Sequence, residues 1–223
     1  MRHPNLRLAV MSLLLAGALP LAAQAAAPKD SSVGAEISAN LTEARQEVRR
    51  ELAAARRELE TGNLRLNDNL RFGKSDKRRA RQETLPKAEI TPKGDFLIDG
   101  KAVAIDARQR QELLRYRAQV IEIAKAGLDI GELSAQAALE AVDRGLFSLM
   151  VGAMTGSLER RVEKTVKQTI EPGVRQICRS LPALHDSQQR LSTSLPSFRP
   201  YATLEADAAE DCEREVRQEF ATR

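Results

Sequence analysis

The chain has 223 residues, 35 Lys and Arg against 31 Asp and Glu, a formal charge of +4 and only 3% aromatic residues. Two cysteines and two histidines are too few for a cysteine-dense scaffold or the paired spacing of a zinc site. A composition of 30% charged residues with so few aromatics suits charge-laced helices packed through Leu, Val, Ile and Ala.

Residues 1–25 read as a cleavable export signal. Arg2 and Arg7 supply a positive n-region, Leu8 to Leu19 is uncharged and mostly apolar, and Ala23-Gln24-Ala25 offers the small-x-small pattern, which predicts cleavage after Ala25. The apolar run is well short of the roughly 20 residues that cross a bilayer. No Cys follows it, so no lipoprotein anchor is expected. Cleavage removes both of those arginines, taking the charge to +2, and leaves His185 as the one histidine. In an exported chain Cys178 and Cys212 favour a disulfide, worth roughly 3 to 4 kcal/mol in the chain-entropy model; the alternative is a pair of buried free thiols.

Residues 26–39 carry Pro28, Ser31, Ser32 and Gly34 and read as a flexible lead-in. From there Leu41, Ala44, Val48, Leu52, Ala55 and Leu59 recur at helical steps as a narrow apolar stripe. Asn40 is the expected N-cap and Gly62 the expected left-handed terminator. A stripe so thin needs a partner helix, in this chain or another. Between 63 and 87, Leu64, Leu66, Leu70 and Phe72 alternate like a strand, and a basic run of Lys74, Lys77, Arg78, Arg79 and Arg81 follows as a loop.

Residues 88–105 alternate short apolar runs with turn residues, and Asp99-Gly100 is a strong type I′ hairpin signal. They predict an antiparallel meander of two or three strands that helices must cover. Asp106 should cap a helix over about 107–126 with Leu113, Leu114, Val120, Ile121 and Ala124 on its core face, and Gly127 and Gly131 bracket a break. The next helix, from about 132 into the 156 region, is rich in small residues. Gly145, Gly152 and Gly156 form a candidate self-association face, against the blander reading of a core helix.

Leu158, Val162, Val166 and Ile170 continue as a helix that Glu171-Pro172-Gly173 should kink or end. A helical stretch through Ile177, Cys178 and Leu181 precedes Pro182, and a polar helix then runs to about Leu195 and a Pro-rich turn at Pro196 and Pro200. Residues 201–223 form an acidic tail around Cys212. The organisation expected is a signal peptide at 1–25, a lead-in at 26–39, a charged helix and basic segment at 40–87, a β-meander plus helical domain at 88–200, and that tail. The fold class is α+β, predominantly helical.

The stretch from Glu89 through Thr91-Pro92-Lys93-Gly94-Asp95-Phe96 and Asp99-Gly100-Lys101 to Val103 resembles the YggN-like family of uncharacterised exported bacterial proteins. The likeness continues at Gln109-Arg110, Tyr116-Arg117 and Gly127-Leu128-Asp129-Ile130-Gly131, and more loosely to Cys178 and Leu184. The resemblance implies a Gram-negative periplasmic setting. It carries over no catalytic residue or ligand. Relatives place a cysteine near the mature N-terminus, where this chain has an Arg- and Glu-rich helix instead, so a disulfide here would join Cys178 to Cys212.

No nucleophile, metal or phosphate-loop signature occurs, and His185 beside Asp186 reads as a solvent-exposed histidine. The basic run lacks stacking aromatics, and export adds to the case against nucleic acid. The expected function is a non-enzymatic periplasmic protein, without a cofactor, that binds an envelope protein or itself through helices 41–60 and 132–170. Two alternatives stand beside it: a peripheral binder of anionic envelope lipid or lipopolysaccharide through Lys74 to Arg81, and a hydrolase with an unrecognised carboxylate site.

Overall fold

The computed structural model describes residues 30–67, 85–150 and 157–221, with side chains described for 36–67, 85–142 and 167–221. In chain order they form α1 (Asp30–Thr61), β1 (Leu64–Arg65), β2 (Ala88–Ile90), β3 (Phe96–Ile98), β4 (Lys101–Ala102), α2 (Ala107–Met150) and α3 (Ser157–Ser194). A 3-10 helix (Pro196–Tyr201) and α4 (Ala208–Phe220) follow. The protein is therefore α+β and helix-dominated, with one four-stranded antiparallel sheet in the order β1-β2-β3-β4.

The meander forms where the turn chemistry demands it. Asp99 and Gly100 take φ of 49° and 74°, the two positive angles of a type I′ turn, and join β3 to β4. β1 adds a fourth strand, its register aligning Leu64 with Ile90 and Ile90 with Phe96. Those three side chains share one face of the sheet and are buried. Leu66 is buried just past β1, whereas Leu70 and Phe72 lie outside the described residues.

Helix α2 starts with a reciprocal box. The Gln109 backbone N–H donates to Asp106 Oδ1 at 2.8 Å, and the Asp106 N–H donates to Gln109 Oε1 at 2.9 Å. Its first turns and the last turns of α3 cover the sheet, with Leu113, Val120, Leu181, Leu184 and Leu191 in one cluster with Ile90 and Phe96. The 3-10 helix closes that cluster with Phe198 and Tyr201; the Phe198 ring meets Phe96 at 5.9 Å and Tyr116 at 5.4 Å between centroids. Leu114 departs from the expected core face. It is 36% exposed and lies against the Thr91–Asp95 turn at Gly94, whose φ of 80° and close approach to Leu114 leave no room for a Cβ.

Several expected helix boundaries are absent. α1 begins at Asp30, so part of the predicted lead-in is helical and Asn40 lies inside the helix. Gly62 follows its end as expected but does not take a positive φ; Arg117 caps the helix from α2 instead. α2 runs through Gly127 and Gly131 without a break, and α3 does not end at Pro172 or Pro182 but carries both inside it. A helix-interior Gly costs about 1 kcal/mol and a Pro about 3 relative to Ala, and the packing of α2 against α3 offsets these costs. At Gly173 the two helices meet closely: a Cβ there would lie 2.9 Å from Ile130 Cγ1. The acidic tail is not irregular either, since it forms α4 against α3.

Candidate functional site

Two regions of different character emerge. In the head, α2 and α3 sandwich their apolar faces against the sheet. Beyond it they extend as an arm, flanked by α1. Among the described residues the helix pairs in extensive contact are α1 with α2, α2 with α3 and α3 with α4, so α2 is flanked by α1 and α3.

The partner that the thin stripe of α1 requires is α2. Arg56 of α1 reaches Asp129 at 2.5 Å and Glu132 at 3.0 Å, and Lys125 Nζ lies 2.7 Å from Glu60 Oε1. Hydrogen bonding to Glu132 and then Asp129 raises the Arg56 pKa, and Lys125 holds the Glu60 carboxyl below its usual range. These pairs are largely exposed and fix direction more than they stabilise. Leu41 is buried, while Ala44, Val48, Leu52, Ala55 and Leu59 remain half-buried.

The arm leaves apolar surface uncovered. The face of α2 that carries Leu113 and Val120 under the sheet continues at helical spacing as Ala124, Gly127, Gly131, Ala135, Ala138 and Val142. Ala124 and Ala135 are half-buried, the other four are exposed, and Val142 is 50% exposed. A Cβ built on Gly127 or Gly131 meets nothing within 4 Å. The strip is about 27 Å long at 1.5 Å per residue. From Ala124 to Val142 on α2, and from Lys167 to Ile177 on α3, no described side chain is fully buried.

The polar clusters of the head are joints. Ser194 Oγ donates to Glu112 Oε2 at 2.6 Å, and Gln109 Nε2 donates to the Ser194 carbonyl at 2.6 Å, tying the start of α2 to the end of α3. Glu112 is buried and also faces Arg108 Nε at 3.4 Å. His185 is half-buried rather than solvent-exposed: its Nδ1 lies 3.7 Å from Asp186 Oδ1, beyond hydrogen-bond range, and its Nε2 faces Gln189 Nε2 at 3.3 Å. The Ser194 hydroxyl and the Glu112 carboxylate meet at the joint between α2 and α3. A shallow depression of about 370 Å³ lies on α3, lined by Lys167, Gln168, Glu171, Pro172, Arg175 and Arg179. Arg175 within it is held by Glu171 at 2.7 Å and Glu213 at 3.2 Å. No cluster of three or more metal-ligating side chains occurs among the described residues, and no described helix is long and apolar enough to cross a membrane.

Of the residues singled out from the sequence, Cys178 and Cys212 are joined as a disulfide, with Cα atoms 5.5 Å apart. Lys74, Lys77, Arg78, Arg79, Arg81, Gly152 and Gly156 lie outside the described residues; Gly145 falls on α2, and its surroundings lie outside them as well. Sequence reasoning placed small residues on the 132–156 helix but treated Gly127 and Gly131 as breakers. The three- and four-residue spacing from Ala124 to Val142 was the signal that joins them to one uncovered face. The geometry defines a helix-dominated α+β protein with an open helical arm. No protein-family profile, curated protein or solved structure matches the chain.

Proposed function

We propose that this chain is an exported, non-enzymatic envelope protein that binds another protein, or a second copy of itself, through the arm built from residues 41–60 and 132–170. The observation that carries the reading is the uncovered strip from Ala124 to Val142. The same face is buried in the head and, among the described residues, exposed at Gly127, Gly131, Ala138 and Val142 in the arm, where its small side chains allow a helix backbone to approach closely. Export rests on residues 1–25 and the likeness to the YggN-like family, and a disulfide is compatible with an oxidising compartment.

A photocrosslinking residue placed at Ala138 in intact cells tests the reading, with the exposed Arg190 of the head as the control position. Adducts to a defined protein are expected from Ala138 and not from Arg190. Sedimentation of the purified chain across a concentration series separates a second copy from a foreign partner. Adducts equal at both positions, or absent from both, would remove the arm as a binding surface.

A further inference from the structure

The C-terminal helix α4 is thinly attached. Among the described residues its extensive packing is with α3 alone, and its one fully buried side chain is Val216, supported by half-buried Ala208, Ala209 and Cys212. The noncovalent hold between the helices includes the Arg175 to Glu213 pair at 3.2 Å, about a third exposed on each side and therefore weak in water. A helix of 13 residues is marginal when it stands by itself. The Cys178–Cys212 bridge is the covalent tie between α3 and α4.

The two cysteines differ in exposure. Cys178 is 0% exposed, whereas Cys212 is half-buried on the outer helix. Among its neighbours Asp211 pairs with Arg214, and Glu213 pairs with Arg175 and Arg217. A bridge set between two helices suits a reductant whose second thiol completes the exchange.

We infer that α4 is a redox-released latch, opened by a protein dithiol of the Cys-x-x-Cys class that attacks Cys212. The reductant's thiolate bonds to Cys212 Sγ, the Sγ–Sγ bond breaks, and the electron pair leaves on Cys178 Sγ, which takes a proton from solvent. The second thiolate of the reductant then attacks its own partner in the mixed disulfide and releases Cys212, which is protonated in turn. Two electrons and two protons pass to this chain, and the reductant leaves as a disulfide. α4 then undocks, withdraws the partly buried Ala208, Ala209 and Cys212 from the edge of the head core and bares the Cys178 side of α3, while the head keeps its fold, because the buried members of its cluster lie on the sheet, α2, α3 and the 3-10 helix.

Hydrogen exchange of the full chain, oxidised and after dithiothreitol, reads the latch directly. Reduction is expected to speed exchange across 208–220 by roughly tenfold or more while residues 113–123 and 181–195 keep their protection. A Cys-x-x-Cys reductase whose second cysteine is serine should be trapped on Cys212 and not on Cys178. Cys212→Ser should reproduce the release without reductant, and reduction of the unaltered chain covers the case of a variant that misfolds. The inference is overturned if α4 stays protected after reduction, if protection is lost across the whole chain together, or if the bridge opens only in denaturant.

Discussion

Arg117 of α2 donates from Nη2 to the carbonyl of Gly62 at 2.9 Å, and the same nitrogen reaches the carbonyls of Glu60 at 2.9 Å and Leu59 at 3.1 Å. One buried guanidinium thus serves the orphan carbonyls at the end of α1, the task for which a left-handed glycine is the usual device. Burial lowers the Arg117 pKa, yet an arginine stays charged at neutral pH, so the cap is an ionic one.

Replacing Arg117 with Met keeps much of the stem and removes the cap. Stability should fall by about 2 kcal/mol, the order expected when charged hydrogen bonds to partly buried carbonyls are lost. Amide exchange should rise in the last turns of α1 before it rises in the sheet. Urea unfolding and exchange on the same variant check both expectations.

Gly173, Gly127 and Gly131 should respond to alanine with opposite signs. At Gly127 and Gly131 a Cβ meets nothing within 4 Å, so Ala should stabilise α2 by roughly 0.5 to 1 kcal/mol per site. At Gly173 the Cβ would sit 2.9 Å from Ile130 Cγ1, so the same change should destabilise by about 1 kcal/mol or more. Thermal midpoints of the three single variants decide this. Gly131→Leu should leave the isolated chain folded and weaken adduct formation from Ala138.

Asp95 should give a pH-dependent contribution. Arg110, and then the Thr91 hydroxyl, hold its carboxyl below the usual range. Its folded pKa is therefore the lower one, and the unfolded chain binds the extra proton first on acidification. The stability gap between the native chain and Asp95→Asn should be full at about pH 5 and above and shrink as pH falls below about 3.9. Denaturant midpoints of both chains across that window are the measurement, and a gap that widens on acidification would contradict the assignment.

Gln188, 2% exposed, exchanges two hydrogen bonds with the backbone of Leu204, accepting from its N–H at 3.2 Å and donating to its carbonyl at 3.1 Å. It pins the segment that leads from the 3-10 helix to α4. Gln188→Leu should cost roughly 2 to 3 kcal/mol, since it strands both backbone groups. Calorimetry of that variant beside Gln188→Glu, which keeps the acceptor and loses the donor, should rank Leu as the worse.

Local chemistry made several features legible without any fold. The Asp99-Gly100 turn, the Asp106 cap and the Pro-rich close at Pro196 depend on residues near one another in sequence, where backbone sterics and short hydrogen bonds decide. Helix continuity was not legible. Gly127, Gly131, Pro172 and Pro182 each argue locally for an end, but α2 and α3 are held by each other along their length, and that non-local packing outweighs the local cost. The acidic character of α4 is plain in the sequence, but its place on α3 brings together Cys178 and Cys212, residues 34 positions apart.

The same division holds for the candidate binding surface. The sequence by itself determined that residues 124–142 carry small and apolar side chains at helical spacing, because a 3.6-residue period is written in the chain. Only the tertiary structure decided that this face, buried under the sheet at Leu113 and Val120, is exposed at Gly127, Gly131, Ala138 and Val142. Burial depends on where the sheet stops along α2 and on which sides α1 and α3 take, and both are set by contacts between residues far apart in the chain.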